Sequence, residues 1–261
     1  MSTLDDIEAV ARAVVYSGGA VLRTRYRRDD ADATYTAHDV KAKADEAAEE
    51  QMLPVIRRAF PGHSVFAEEA GEFAGSEPYH WIVDPLDGTN NFTAGLPTFG
   101  SAVSVLRDGE PVVAAVHQPM TDETYFSRRE QGVRYNGRPV TAESTVSPDS
   151  ATVAIIVGRN VPRDSELSTQ ATAIREGIDA EVKRVCSSWA PTVHAGLLAR
   201  GRIQGLVQFH PDEEEQAATE LFAAEAGAVI ASEGPLFVAA CDEDMMTVLW
   251  RAVSAVVDES R

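Results

Sequence analysis

Only three lysines occur in 261 residues, Lys41, Lys43 and Lys183, and Lys and Arg together number 23 against 41 Asp and Glu. The formal net charge of −18 leaves little positive surface for a nucleic-acid backbone or an anionic membrane, both of which are bound through basic groups. Cysteine is nearly absent as well. Cys186 and Cys241 stand alone, without metal-type spacing, and read as two buried thiols. No apolar run approaches the ~20 residues of a membrane helix, and the opening Met-Ser-Thr-Leu-Asp-Asp is acidic where a secretory leader would be basic. These absences predict a soluble cytoplasmic protein that binds neither nucleic acid nor membrane. Hydrophobic residues are not scarce: they make up 44% of the chain and are spread along it, which excludes disorder.

Abundant acid, scarce lysine and plentiful alanine match a protein adapted to high salt. Molar salt shrinks the Debye length to about 3 Å, so self-repulsion becomes tolerable. The alternative is an acidic protein of ordinary salt. At roughly 150 residues per domain, the chain makes one large domain or two closely packed lobes. The pattern changes near residue 148, which divides the chain into an α+β lobe, 1–148, and an α/β lobe, 149–261.

Residues 3–22 read as a helix, with Thr3 and Asp6 forming its cap and Ile7, Val10, Ala11, Val14 and Val15 lining one face. A second helical pattern covers 43–59, and Pro54 should bend it. Strand-like runs at 64–67 and 80–83 lead to a meander, in which 102–106 and 111–116 flank an Asp108-Gly109 hairpin signal. Asn136-Gly137 marks another turn. A buried-strand candidate at 151–157 follows, then helical stretches at 164–177, 192–200 and 214–226, with a strand at 203–209 between the last two. An amphipathic helix carrying Met245, Val248, Leu249, Ala252, Val253 and Val256 closes the chain. Interleaved helices and strands with antiparallel hairpins predict a mixed layered architecture, α+β running into α/β.

The chemistry concentrates in Trp81-Ile82-Val83-Asp84-Pro85-Leu86-Asp87-Gly88-Thr89-Asn90. An apolar strand delivers Asp84, Pro85 keeps Asp84 extended, and a turn is expected to return Asp87 beside it. Two carboxylates so close among apolar neighbours repel unless protonated or bridged by a cation. Mg²⁺ is the natural bridge, since it takes carboxylate and carbonyl oxygens. Gly88-Thr89-Asn90 then opens a short helix whose free N–H groups face an anion. Metal beside an anion site is the layout of a phosphate-ester site; a solvated turn is the bland alternative. A second acidic pair, Glu68-Glu69, follows the apolar run Val65-Phe66-Ala67 and so falls at a strand end.

Glu68-Glu69, sixteen residues before Asp84-Pro85-Leu86-Asp87-Gly88-Thr89, resembles the paired signature of the inositol monophosphatase family, Mg²⁺-dependent, lithium-sensitive phosphatases related to fructose-1,6-bisphosphatases. The likeness extends to Asp39-Val40-Lys41-Ala42-Lys43-Ala44-Asp45, to 107–110 and 132–140, and to Glu225-Ala226-Gly227. The resemblance implies a layered αβαβα sandwich with the active site between the lobes, and a homodimer. It assigns Glu68, Asp84, Asp87 and the Leu86 carbonyl to metal. It assigns Asp45 and Thr89, with Glu68, to activating the attacking water, whose pKa the metals lower. Gly88, Thr89 and Asn90 would hold the phosphate.

The family's third motif departs here. Glu215 stands where its metal-ligand Asp is expected, Glu214 replaces its Trp, and Thr219 replaces its Gly. A glutamate can ligate Mg²⁺, but one added methylene moves its oxygens by about an ångström or more, and Mg²⁺ demands bonds of about 2.0–2.1 Å. Asp212 is the substitute candidate. Alternatively 212–215 is a solvated acidic helix start, favourable to the helix dipole. Gln208 stands where an acid often recognises substrate hydroxyls. His194 and His210 fall near the substrate edge but read as packing residues, Trp189 narrows the pocket, and Arg159 and Arg202 contact a second phosphate or, more simply, surface acids.

The expectation is a Mg²⁺-dependent phosphomonoesterase acting on inositol monophosphate, fructose-1,6-bisphosphate or a similar sugar or polyol phosphate. The alternatives are a nucleotide 3′-phosphatase of the same superfamily and a catalytically impaired member serving as a binding or regulatory protein.

Overall fold

An apolar stripe of Ile7, Ala11, Val14, Val15 and Leu22 repeats at helical spacing and is fully buried, which sets the first helix, α1 (Leu4–Arg27), against a sheet. Its start is the expected capping box: the Thr3 hydroxyl donates to the Asp6 carboxylate at 2.7 Å, and the Asp6 N–H donates back to that hydroxyl at 3.2 Å. The computed structural model describes residues 3–27, 33–35, 40–187 and 189–258; Asp39 and the Glu214 side chain lie outside the described residues. A short ribbon pairs β1 (Ala33–Tyr35) with β2 (Val40–Ala42). It leads into α2 (Lys43–Ala59), which runs on through Pro54. The missing proline N–H removes one rung of the helix without ending it.

Eight strands then form one sheet: β3 (Ser64–Ala67), β4 (Gly71–Phe73), β5 (Tyr79–Asp87), β6 (Gly100–Arg107), β7 (Glu110–Gln118), β8 (Glu123–Arg128), β9 (Val133–Tyr135) and β10 (Arg138–Val140). Their order is β10-β9-β8-β7-β6-β5-β3-β4, antiparallel except that β3 runs parallel to β5. The Asp108-Gly109 turn has the two positive φ values, 53° and 88°, of a primed hairpin turn.

The remaining strands build a five-stranded sheet, β12-β11-β13-β15-β14, from β11 (Thr152–Val157), β12 (Arg184–Cys186), β13 (Gly205–Phe209), β14 (Val229–Glu233) and β15 (Leu236–Ala240). β11 is parallel to both β12 and β13, and the other pairs are antiparallel. Helices α4 (Glu166–Glu181) and α7 (Glu243–Asp258) pack on its outer face through Ile174, Ile178, Met245 and Leu249. Helices α5 (Pro191–Ala199) and α6 (Glu213–Glu225) lie between the sheets, where Leu198 and Phe222 join Val116 and Tyr125 of the first sheet to Leu206 and Phe237 of the second. With α1 and α2 on the far face of the first sheet, the layers run α-β-α-β-α, the sandwich expected from the motifs. Among the described residues, no helix is long and apolar enough to cross a membrane.

Candidate active site

The carboxyl ends of parallel strands are where open sheets place their ligand crevices, and here two sheets present such ends to one cleft. The first sheet contributes Glu68 just past β3 and Asp84 and Leu86 from β5; the second contributes Arg159 past β11, and Asp212 and Glu215 past β13. Gly88, Thr89 and Asn90 line the cleft, and Trp189, 58% exposed, lines it beside Gly88. The cleft is open to solvent.

The approach of Asp87 to Asp84 comes from a bulge and not from the expected turn. Between the pairs Asp84–Ala102 and Asp87–Gly100, β5 advances three residues while β6 advances two. On a regular strand, residues three apart face opposite sides; the inserted residue re-aims the second carboxylate. Asp87 is 1% exposed and accepts the Thr192 and Val193 N–H groups at 3.4 and 2.8 Å, in the first turn of α5, where the helix dipole favours negative charge. Burial nevertheless pushes its carboxyl up to about 7 against those bonds. Burial, then Glu68, Asp87, Glu215 and Asp45, raises Asp84 well above the usual carboxylate range.

Asp45 sits in the first turn of α2. Its carboxylate accepts the Ala42 N–H at 3.1 Å and the Thr89 hydroxyl at 3.3 Å, and that hydroxyl lies 3.1 Å from the Leu86 carbonyl. Burial, followed by the Glu68 charge, pushes Asp45 up to about 8. Thr89 opens a single-turn helix, α3 (Thr89–Thr93), after Gly88. The φ of +100° at Gly88, with the Thr98 and Trp189 carbonyls 3.1 Å from where a Cβ would stand, admits only glycine.

Glu68 is held from behind. One turn along α2, Glu49 accepts the N–H groups of Glu69 and Ala70 at 2.9 and 2.8 Å, an anchor that no local sequence pattern announces. The altered third motif is not a solvated helix start. Asp212 is 6% exposed, and burial, with Asp87 and Asp212 next, raises Glu215 well above the usual range despite Arg159. Both residues line the cleft.

Arg159 corrects the simpler sequence reading. It pairs not with surface acids but with the cleft: Nη1 donates to Glu68 Oε1 at 2.6 Å and Nε to Asp212 Oδ2 at 3.1 Å. Burial opposes its charge, but Glu68 and Asp212 outweigh that and make the guanidinium hold its proton more tightly. Gly158 makes the placement possible, because a Cβ there would stand 1.8 Å from the His210 carbonyl oxygen. Gln208 is not brought to the cleft. It lies inside β13 beside Ile156, 0% exposed, with neither amide atom hydrogen-bonded among the described residues. Nor do His194 and His210 line the cleft; His194 is buried in α5, 3.8 Å from the Cys186 sulfur. Glu225 of the Glu-Ala-Gly segment serves elsewhere, accepting three backbone N–H groups of the β8–β9 turn, from Glu130, Gln131 and Gly132.

Clustered acids driven upward by burial and mutual repulsion form a donor set whose chemistry fits a hard divalent cation. As folded, Glu68 is engaged by Arg159, and among the described residues no three His, Cys, Asp or Glu side chains converge closely enough to hold a metal ion.

The chain is similar to known proteins in sequence and in structure. The chain is 28% identical over 239 residues to a fructose-1,6-bisphosphatase/inositol-1-monophosphatase of Aquifex aeolicus, covering 91% of this chain and 89% of that protein. It is also 28% identical over 223 residues to the Nus factor SuhB of Pasteurella multocida, covering 84% and 82%. In structure it matches the extragenic suppressor protein suhB of Bartonella henselae with a TM-score of 0.85, over 95% of this chain and 98% of that one; at 22% identity this likeness bears on the fold. The model of the inositol monophosphatase family matches residues 3–247, and the chain belongs to that family.

Proposed function

We propose that this protein hydrolyses a small phosphomonoester, a sugar or polyol phosphate such as inositol monophosphate or fructose-1,6-bisphosphate, with Mg²⁺ as cofactor. The observation that carries the reading is the gathering of Glu68, Asp84 and Glu215 at one cleft, with buried Asp87 raising Asp84 and Glu215 from behind them, beside the Thr89–Asp45 hydrogen bond. Glu68, Asp84, the Leu86 carbonyl, Asp87 and Glu215 are the ligands we assign to Mg²⁺. When bound, the cation supplies charge stabilisation to the phosphoryl group and its leaving oxygen and lowers the pKa of water. Asp45 and Thr89 orient the attacking water, and Asp45, whose carboxylate a bound cation would keep ionised, helps take its proton. Gly88, Thr89 and Asn90 line the wall where the phosphate is held, and Trp189, exposed beside them, limits the alcohol that fits. Gln208, buried under the cleft wall, is left without a part in substrate recognition.

Phosphate release from a panel of inositol monophosphate, fructose-1,6-bisphosphate and 3′-phosphoadenosine 5′-phosphate, in molar KCl with and without Mg²⁺, tests the reading and ranks the substrates. Mg²⁺-dependent turnover of at least one is expected; no turnover on any, with Mg²⁺ still binding, overturns it. A second reading, a binding protein with little catalysis, is favoured by the bond that already occupies Glu68 and by relatives named Nus factor SuhB. Glu215→Asp separates the two. A large gain in turnover marks a catalyst impaired at this ligand.

A further inference from the structure

The cleft gathers the carboxylates of Glu68, Asp84, Asp212 and Glu215, and Arg159 lines it with them. The anchors of Arg159 are Glu68 on the first sheet's side and Asp212 on the second's, and Asp212 receives both the Arg159 Nε–H at 3.1 Å and its backbone N–H at 3.4 Å. The other Asp212 oxygen accepts from Asn160 at 3.1 Å, so its carboxylate is oriented toward Arg159 from two directions. Glu68 is the residue just past β3, and Asp212 the residue that begins α6. The guanidinium thus ties together donors that a divalent cation at the mouth of the cleft would need. Its planar fork suits two carboxylates, and the close approach at Gly158 fixes where its backbone can stand.

We propose that Arg159 is a built-in counter-cation of this cluster, which competes with divalent cations for Glu68 and Asp212 and lowers the number or the affinity of the ions the chain binds. Occupation of the Glu68 side by a divalent ion requires the Arg159 bond to break. The inference rests on reading the cleft as a divalent-cation site, and its test is therefore a binding measurement independent of turnover.

Mg²⁺ is titrated calorimetrically, and Mn²⁺ by electron paramagnetic resonance, into the full-length protein and Arg159→Gln at one fixed KCl concentration. The variant is expected to bind one more ion per chain, or its weakest ion at least tenfold more tightly. Its melting temperature without divalent ions should fall, and saturating Mg²⁺ should restore it by more than in the parent. Should Arg159→Gln not fold, Arg159→Lys carries the test, because it keeps the charge but loses the two-carboxylate fork; an increase in affinity of threefold or more is expected. Equal stoichiometry and affinity in parent and variant, with ions bound in both, overturns the role of Arg159 and leaves the metal reading standing. No ion bound by either overturns the metal reading and this inference with it.

Discussion

Asp84 is costly to the protein in the absence of a cation. Its charged form is disfavoured by burial and by Glu68, Asp87, Glu215 and Asp45, so Asp84→Asn should raise the melting temperature of the metal-free protein. The same change should weaken Mg²⁺ binding and cut phosphate release by roughly 100-fold or more; calorimetry and a phosphate assay on one preparation check both. A fall in metal-free melting temperature would show that the carboxylate is structural. His194 offers a separate handle on pH. Burial lowers its pKa from 6.5 to about 4, so the folded state keeps it neutral while the unfolded chain takes up a proton. Stability from this residue is present above pH 6.5 and is lost as pH falls toward 4, on the order of 3 kcal/mol in total. In His194→Asn, the denaturation midpoint should lose that part of its acid sensitivity. An unchanged difference between pH 7 and pH 4.5 counts against the assignment.

At the scale of elements, the site depends on groups that lie outside it. Glu225 closes the β8–β9 turn through three N–H bonds, and α6, which carries it, also begins with Asp212 at the cleft. Removing the carboxylate exposes the Glu130 and Gln131 N–H groups to water but leaves the part-buried Gly132 N–H unsatisfied, at about 1–3 kcal/mol. Glu225→Ala should therefore lower stability in urea by that amount, with Mg²⁺ affinity changed far less. At Gly88, an alanine would meet two carbonyl oxygens and a φ of +100°, so Gly88→Ala should reduce turnover more than Glu225→Ala although it removes no hydrogen bond. Equal effects of the two on turnover would sink the idea that the β5–α3 junction positions the phosphate.

For the whole molecule, a charge of −18 is spread over an accessible surface of 11969 Å². Self-repulsion of that kind destabilises the compact state and is screened by salt. The melting temperature should climb by several degrees between 0.1 and 2 M KCl. An equal concentration of sucrose, which strengthens burial without screening charge, should not reproduce the low-salt part of the rise. A flat response to KCl would mean that the acids are already balanced locally, in pairs like those joining Arg128 and Arg134 to Glu8.

Periodicity and turn chemistry are local properties, and they place α2, β3 and the β6–β7 hairpin close to their bounds and mark α7 by its apolar face, whereas α1 runs on to Arg27, five residues past the expected end at 22. The Asp84-to-Thr89 motif marked the cleft for the same reason, because carboxylates at the end of an apolar run demand a partner wherever the chain goes. Short strands escaped. β12 has three residues and β4 is half-exposed with no clear alternation, while β14 and β15 meet at Gly234-Pro235, a turn signal within residues 229–240. Charge excess and the core motifs followed from the sequence alone, since composition and nearest neighbours set them. Which acids face one another, that a bulge joins Asp87 to Asp84, that Gln208 is shut away, and that Arg159 reaches across 91 residues to Glu68 were decided by the stacking of two sheets, because pairings between distant strand ends exist only once the layers have closed.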